Sequence, residues 1–191
     1  MTTNRIEAFS DGVIAIIITI MVLELRVPHE ANLAALRPLA PVLLSYLLSF
    51  IYIGIYWSNH HHLLHAANSV NGRILWANLH LLFWLSLVPF VTAWMGENHF
   101  ERVPVAIYGV VLFAASIAYF ILTQALISLH GRTSKLAIAV GRDFKGQIST
   151  LIYAAAIPLS LTRGWLGFSL YVVVAIMWLV PDRRIERALT E

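Results

Sequence analysis

Four of the eight histidines fall in one short stretch: His60, His61, His62 and His65. On a helix, His61 and His65 share a face at i, i+4, a spacing that suits a metal pair. A histidine-metal membrane enzyme needs several separated boxes, yet His29, His80, His99 and His130 stand alone. The other reading is a polar helix end at an interface, paired with Asp11 or Arg5. No P-loop, dinucleotide fingerprint, nucleophile elbow or zinc-protease motif occurs. Cysteine is absent, which removes thiolate ligands, a thiol nucleophile and disulfides. These features point away from an enzyme, and no metal or cofactor is expected. The remaining chemistry is at the start of the chain, where Arg5, Glu7, Ser10 and Asp11 precede an almost pure hydrocarbon run. An ionisable group at a membrane segment is costly and is a functional candidate. A plain alternative exists: Asp11 stabilised by the helix dipole, with Ser10 capping the turn. His80 lies deeper in another apolar segment. It can reach Ser10 or Asp11 by a hydrogen bond, or satisfy itself on the backbone. Asp11 and His80 together would suit the proton relay of a proton-coupled transporter. An imidazole titrates near neutral pH, so the same layer would make the protein pH-sensitive.

The elements that position these groups are membrane helices. Of 191 residues, 59% are hydrophobic and 12% charged, with a mean hydropathy of +0.76; a soluble domain carries about 25% charged residues. The expected class is an all-α polytopic integral membrane protein, bathed in lipid. A pI near 9.4 accompanies a net charge of only +3, so the basic residues set orientation and no nucleic-acid partner is expected. Glu7 and the lack of a small-residue cleavage site argue against a cleaved signal, so the first apolar run is expected to remain as a helix. Six spans are expected in one domain of residues 1–191, at about 5–26, 36–66, 72–95, 103–129, 147–162 and 165–181. The last two are short. Pro89 and Pro158 are candidate breaks, Pro181 and Asp182 close the last span, and the loop near 130–146 has room for a short amphipathic piece.

With both termini cytoplasmic, the inner segments hold Arg5, Arg73, Arg132, Lys135, Arg142, Lys145, Arg183, Arg184 and Arg187. The outer ones hold Arg26, Arg37, Arg102 and Arg163. Nine against four obeys the positive-inside rule. Trp57, Trp76, Trp94 and Trp165 fall near helix ends, as interface belts require. Ser116 and Gln124 are expected to make interhelical hydrogen bonds. Glu24 and Arg26 are expected either as a charged vestibule that concentrates cations or as a surface ion pair.

In the first helix, Ile16, Ile20 and Leu23 recur at i, i+4, i+7 and share one face, with Thr19 beside it. Packing, lipid contact and a pore lining all produce such a stripe, and Thr19 often bonds only its own helix. Arg5, Phe9, Ser10 and Asp11 form R-x-x-x-F-S-D ahead of the Ile/Thr-rich run. This resembles the first helix of the transmembrane protein 175 family, whose animal members are endosomal and lysosomal potassium channels. Length, six spans and inner termini resemble its prokaryotic single-repeat branch. The resemblance implies a homotetramer in the plasma membrane that passes potassium ions in preference to sodium. The first helix of each subunit would line the path. Ile16 would form the main hydrophobic constriction, with Ile20 and Leu23 at further levels and Thr19 contributing to selectivity. Arg5, Phe9, Ser10 and Asp11, with Trp57 and His80, would anchor that helix. No T-V-G-Y-G filter is present, so selectivity would rest on pore width, Thr19 hydroxyls and the local field, with gating by dewetting.

Overall fold

The computed structural model describes residues 3–179 apart from 132 and 142, and no strand occurs among them. The first helix, α1 (Asn4–Leu23), starts as expected but stops three residues early. A 3-10 helix, Leu33–Leu39, leads into α2 (Ala40–His65), its first turn held by the Asn32 side chain accepting from the Ala35 amide at 3.0 Å. The expected third span is split. It consists of α3 (Gly72–Ser86) and α4 (Val88–Glu97), with Leu87 between them. Pro89 has no amide hydrogen to give the Leu85 carbonyl, so the turn tightens and the Leu87 amide bonds Trp84 O at 3.2 Å. The fourth span, α5 (Arg102–His130), ends at Gly131, whose φ of +88° favours glycine. The expected amphipathic piece is α6 (Lys135–Val140). Asp143 caps α7 (Phe144–Thr162) by accepting from the Gly146 amide at 2.9 Å, and Pro158 lies within α7 without ending it. A tight turn at Arg163 leads to α8 (Gly164–Leu179). Pro181, Asp182 and the basic residues Arg132, Arg142, Arg183, Arg184 and Arg187 lie outside the described residues.

Among the described residues, four stretches are long and apolar enough to cross a bilayer: Asn4–Leu23, Leu33–His65, Gly72–Glu97 and Arg102–His130. The other two expected spans form a shorter hairpin. Apolar α8 has 16 residues, and α7 opens on Lys145 and Gln147. At the centre, α5 packs against α3, α4, α7 and α8, while α1 lies on α2, α3 and α4. Lipid removes most of the hydrophobic drive between helices, so close packing and polar ties carry the fold. Gly109 approaches the Tyr171 hydroxyl and Gly167 approaches Ser160 so closely that a Cβ at either would clash. Ser49 Oγ lies 2.6 Å from Thr92 Oγ1 and 3.0 Å from the Tyr108 hydroxyl, joining α2 to α4 and α5. Tyr52 donates to the Tyr171 carbonyl at 2.6 Å and Tyr171 donates to the Val105 carbonyl at 3.2 Å, joining α2, α8 and α5.

Candidate functional site

α1 has two unlike faces. Its inner face is Ile6, Ser10, Ile14, Ile17 and Met21, all buried. Ser10 Oγ donates to the Ile6 carbonyl at 2.8 Å and accepts from Asn78 Nδ2 at 2.9 Å. Asn78 Oδ1 lies 2.7 Å from His60 Nε2. An amide oxygen only accepts, so Nε2 is the protonated nitrogen and His60 Nδ1 is left buried without a partner among the described residues. Two further rungs run beside this chain. Glu7 Oε1 meets His61 Nδ1 at 2.8 Å, and Trp57 Nε1 donates to Asp11 Oδ1 at 3.0 Å. Glu7 and Asp11 are one turn apart on α1, and Trp57 and His61 are one turn apart on α2, so the rungs are parallel. Trp57 stacks on His61, and His61 on His65, at centroid distances of 6.2 and 5.9 Å.

The structure thus brings Ser10, Asp11 and Trp57 into contacts between helices. It does not bring His80 there. His80 is exposed, and its Nε2 accepts from Trp84 Nε1 at 3.0 Å. Of the two readings open for His80, a bond to Ser10 or Asp11 or one to the backbone, neither is seen: Asn78 bonds Ser10, Trp57 bonds Asp11, and His80 bonds Trp84. Two residues along a helix are about 200° around it, so Asn78 and His80 face opposite ways. The histidine cluster pairs with Glu7 and Asn78 instead of Asp11 or Arg5. No group of three or more metal-binding side chains occurs among the described residues. Sequence reasoning missed Asn78 and the pairing of Glu7 with His61. The available signal was a polar amide inside an apolar helix, and acceptors and donors repeated at i, i+4 on two helices.

The outer face of α1 is open. Arg5, Phe9, Gly12, Ile16, Thr19 and Leu23 are all exposed, and their spacing alternates four and three residues throughout. Ile16 is 58% exposed and Ile17 only 3%. Ile20 flanks the stripe, 43% exposed. Thr19 Oγ1 donates to the Ile16 carbonyl at 2.9 Å, which leaves its lone pairs facing outward. Arg5 and Phe9 lie on this open face, away from the contacts that Ser10 and Asp11 make. Beside the stripe, Ile16, Ile20, Glu24, Ser86, Pro89 and Phe90 line an open recess of about 500 Å³. At the far end Arg26 pairs with Glu97 at 3.0 Å and not with Glu24. Ser116 makes its expected interhelical bond, accepting from Thr150 Oγ1 at 3.1 Å. Gln124 makes no such bond among the described residues.

This architecture defines a polytopic all-helical integral membrane protein whose first helix is fixed on one face and bare on the other. A family model described as "Endosomal/lysosomal potassium channel TMEM175" matches residues 5–89. A protein of Chryseobacterium sp. described as a potassium channel is 53% identical over the full length of both chains. The crystal structure described as a lysosomal potassium-selective channel TMEM175 homolog from Chamaesiphon minutus superimposes with a TM-score of 0.81. It is 31% identical and covers 93% of this chain and 96% of that one. The mouse protein described as an endosomal/lysosomal proton channel TMEM175 is 31% identical over 81% of this chain, which spans 33% of the mouse protein. The chain belongs to the TMEM175 family of channels and is not an enzyme.

Proposed function

We propose that this chain is a potassium-preferring cation channel, a homotetramer with a pore lined by α1 of each subunit. The observation that carries this reading is the open stripe Arg5, Phe9, Gly12, Ile16, Thr19, Leu23. A four-three alternation is the seam by which helices pack around a shared axis. A single helix encloses no water, whereas four copies of this face enclose a narrow path. Ile16 is the principal constriction, a hydrophobic gate that closes by dewetting, with Ile20 and Leu23 further along. The Thr19 hydroxyls present oxygen to a partly dehydrated ion. The contacts of Ser10, Asp11 and Trp57 on the other side fix the rotation and depth of the helix, so that Ile16 and not Ile17 points at the axis. Arg5 and Phe9 anchor the helix from the open side, against neighbouring copies. Glu24, at the far end of the stripe, attracts cations.

The relatives described as potassium channels support potassium as the permeant ion. The charge asymmetry supports cytoplasmic termini in the plasma membrane. The transporter alternative, with Asp11 and His80 as a proton relay, gains no geometric support, because His80 is bonded to Trp84 and Asp11 to Trp57. Proton conduction is the second reading, favoured by the description of the mouse relative. Reversal potentials of reconstituted protein test both. Potassium against sodium should reverse toward the potassium equilibrium potential, and a pH gradient in symmetric potassium should move it little. Reversal that follows the proton gradient would select the second reading.

A further inference from the structure

The connection between α2 and α3, residues 66–71, is tied to the end of α5 through a histidine side chain. Ala67 and Val70 press the connection onto the hydrophobic core. Between them, the amides of Asn68 and Ser69 donate to His130 Nε2 at 3.1 and 3.3 Å. His130 is the last residue of α5, and its Nδ1 lies 2.9 Å from the Leu126 carbonyl one turn back. A carbonyl only accepts, so Nδ1 carries the proton. Nε2 then presents its lone pair, which is what two N–H donors require. All three contacts are met by one form of the ring, the neutral Nδ1–H tautomer.

Protonation undoes this arrangement. A charged imidazole has two donors and no acceptor, so Nε2–H would point at two further N–H groups. Neither amide has another hydrogen-bond partner among the described residues, and Asn68 is exposed, so both would turn to water. The ring would keep its Nδ1 bond and stay at the C-terminal end of α5, where positive charge is favoured. The titratable groups of the segments around this end are His62 and His65 in the last turn of α2, Arg73 in the first turn of α3, Lys135 at the start of α6, and Asp143 and Lys145 at the start of α7. Asp143 caps α7, and Lys145 lies over the Trp178 ring. No ion pair joins a carboxylate to His130 among the described residues. A new Nε2–H therefore gains no carboxylate in exchange for the two amides.

We propose that His130 is a proton-operated latch on the α2–α3 connection. With the ring neutral the latch is closed, and α3 starts from a fixed point. With the ring protonated, residues 68 and 69 are released from α5. An imidazole titrates near neutral pH, so modest acidification operates the latch. It lies at the end of the bundle that carries the Glu7–His61 rung, and α3 leads from it to Asn78, which bonds Ser10 of α1. A proton at this end thereby loosens the base of the helix that holds α1 in place.

The test is amide hydrogen exchange of the full-length protein in phosphatidylcholine nanodiscs, read at single residues and corrected for the intrinsic pH dependence of exchange. Between about pH 7.5 and about pH 5.5, on either side of the imidazole titration, protection at Asn68 and Ser69 should fall about tenfold, as expected for two lost hydrogen bonds. The amides of Ile74 and Gly131, bonded to Asn71 Oδ1 and the Ile127 carbonyl, should keep theirs. His130→Gln supplies a side-chain oxygen that accepts at either pH, so protection should persist at both. His130→Phe keeps a ring and removes the acceptor, so protection at 68 and 69 should be low at both. Protection in the unmodified protein that does not change with pH would overturn the proposal. So would an equal loss at Ile74 and Gly131, which would mean general fraying of this end. A pH-dependent loss in His130→Gln as large as in the unmodified protein would place the sensor elsewhere and also overturn it.

Discussion

Replacing Asn78 by leucine tests what fixes α1. Asn78 makes two buried hydrogen bonds, to Ser10 Oγ and to His60 Nε2. Ser10 keeps its bond to the Ile6 carbonyl, so it is not orphaned. His60 loses its remaining partner, since Nδ1 has none among the described residues. Interhelical hydrogen bonds in membrane proteins average about 0.6 kcal/mol, so two are worth roughly 1 kcal/mol. Stranding a buried polar group costs about 1–3 kcal/mol more. The expected loss is about 2–4 kcal/mol for a side chain of similar size. Adding His60→Leu removes the stranded imidazole, and a buried pair replaced by apolar groups of similar shape is close to neutral. The double variant should therefore regain at least half of the loss. The assay is reversible unfolding in mixed micelles followed by tryptophan fluorescence. A change under about 0.5 kcal/mol in the single variant, or strictly additive losses in the double one, would refute the reasoning.

Three further substitutions probe the open face of α1 and the packing of the helices. Thr19→Val removes an exposed hydroxyl bonded only to its own helix, so stability should change by less than about 0.5 kcal/mol. The potassium-to-sodium permeability ratio should fall, measured from bi-ionic reversal potentials; an unchanged ratio removes Thr19 from selectivity. Gly167→Ala pushes a methyl into Ser160 and should destabilise by about 1–3 kcal/mol. Gly54→Ala meets nothing within 4 Å and should stabilise by about 0.5–1 kcal/mol. Thermal unfolding of the two alanine variants separates them, and similar shifts would contradict the α7–α8 packing.

Much of the fold is written in hydrophobic length and local punctuation. The apolar runs and the prolines place the helices to within a few residues. The open stripe of α1 is also in the sequence, because Arg5, Phe9, Gly12, Ile16, Thr19 and Leu23 keep their spacing whatever surrounds them. What surrounds them is not. Whether α3 turns Asn78 or His80 toward α1 depends on its rotation in the bundle, and a strongly apolar helix carries a weak signal for that. Arg26 pairs with Glu97, 71 residues away, while Glu24 is two residues away on the same chain end. Glu7 rather than Asp11 meets His61 because α1 and α2 align in depth so that Asp11 stands opposite Trp57. Such choices belong to the tertiary packing of long side chains, and no periodicity encodes them. The split at Leu87 shows the intermediate case. Pro89 announces a break, but its position two residues earlier follows from which carbonyl loses its donor.

The central claim is that the outer face of α1 meets the permeating ion. The chain has no cysteine, so single cysteines can be placed at positions 16 and 17 and challenged with a water-soluble thiol reagent while current is recorded. Ile16→Cys should be modified when the channel is open and its current blocked, and Ile17→Cys should be inert. Block at position 17 with none at position 16 would contradict the register. Modification of neither during measurable current would place the pore away from α1.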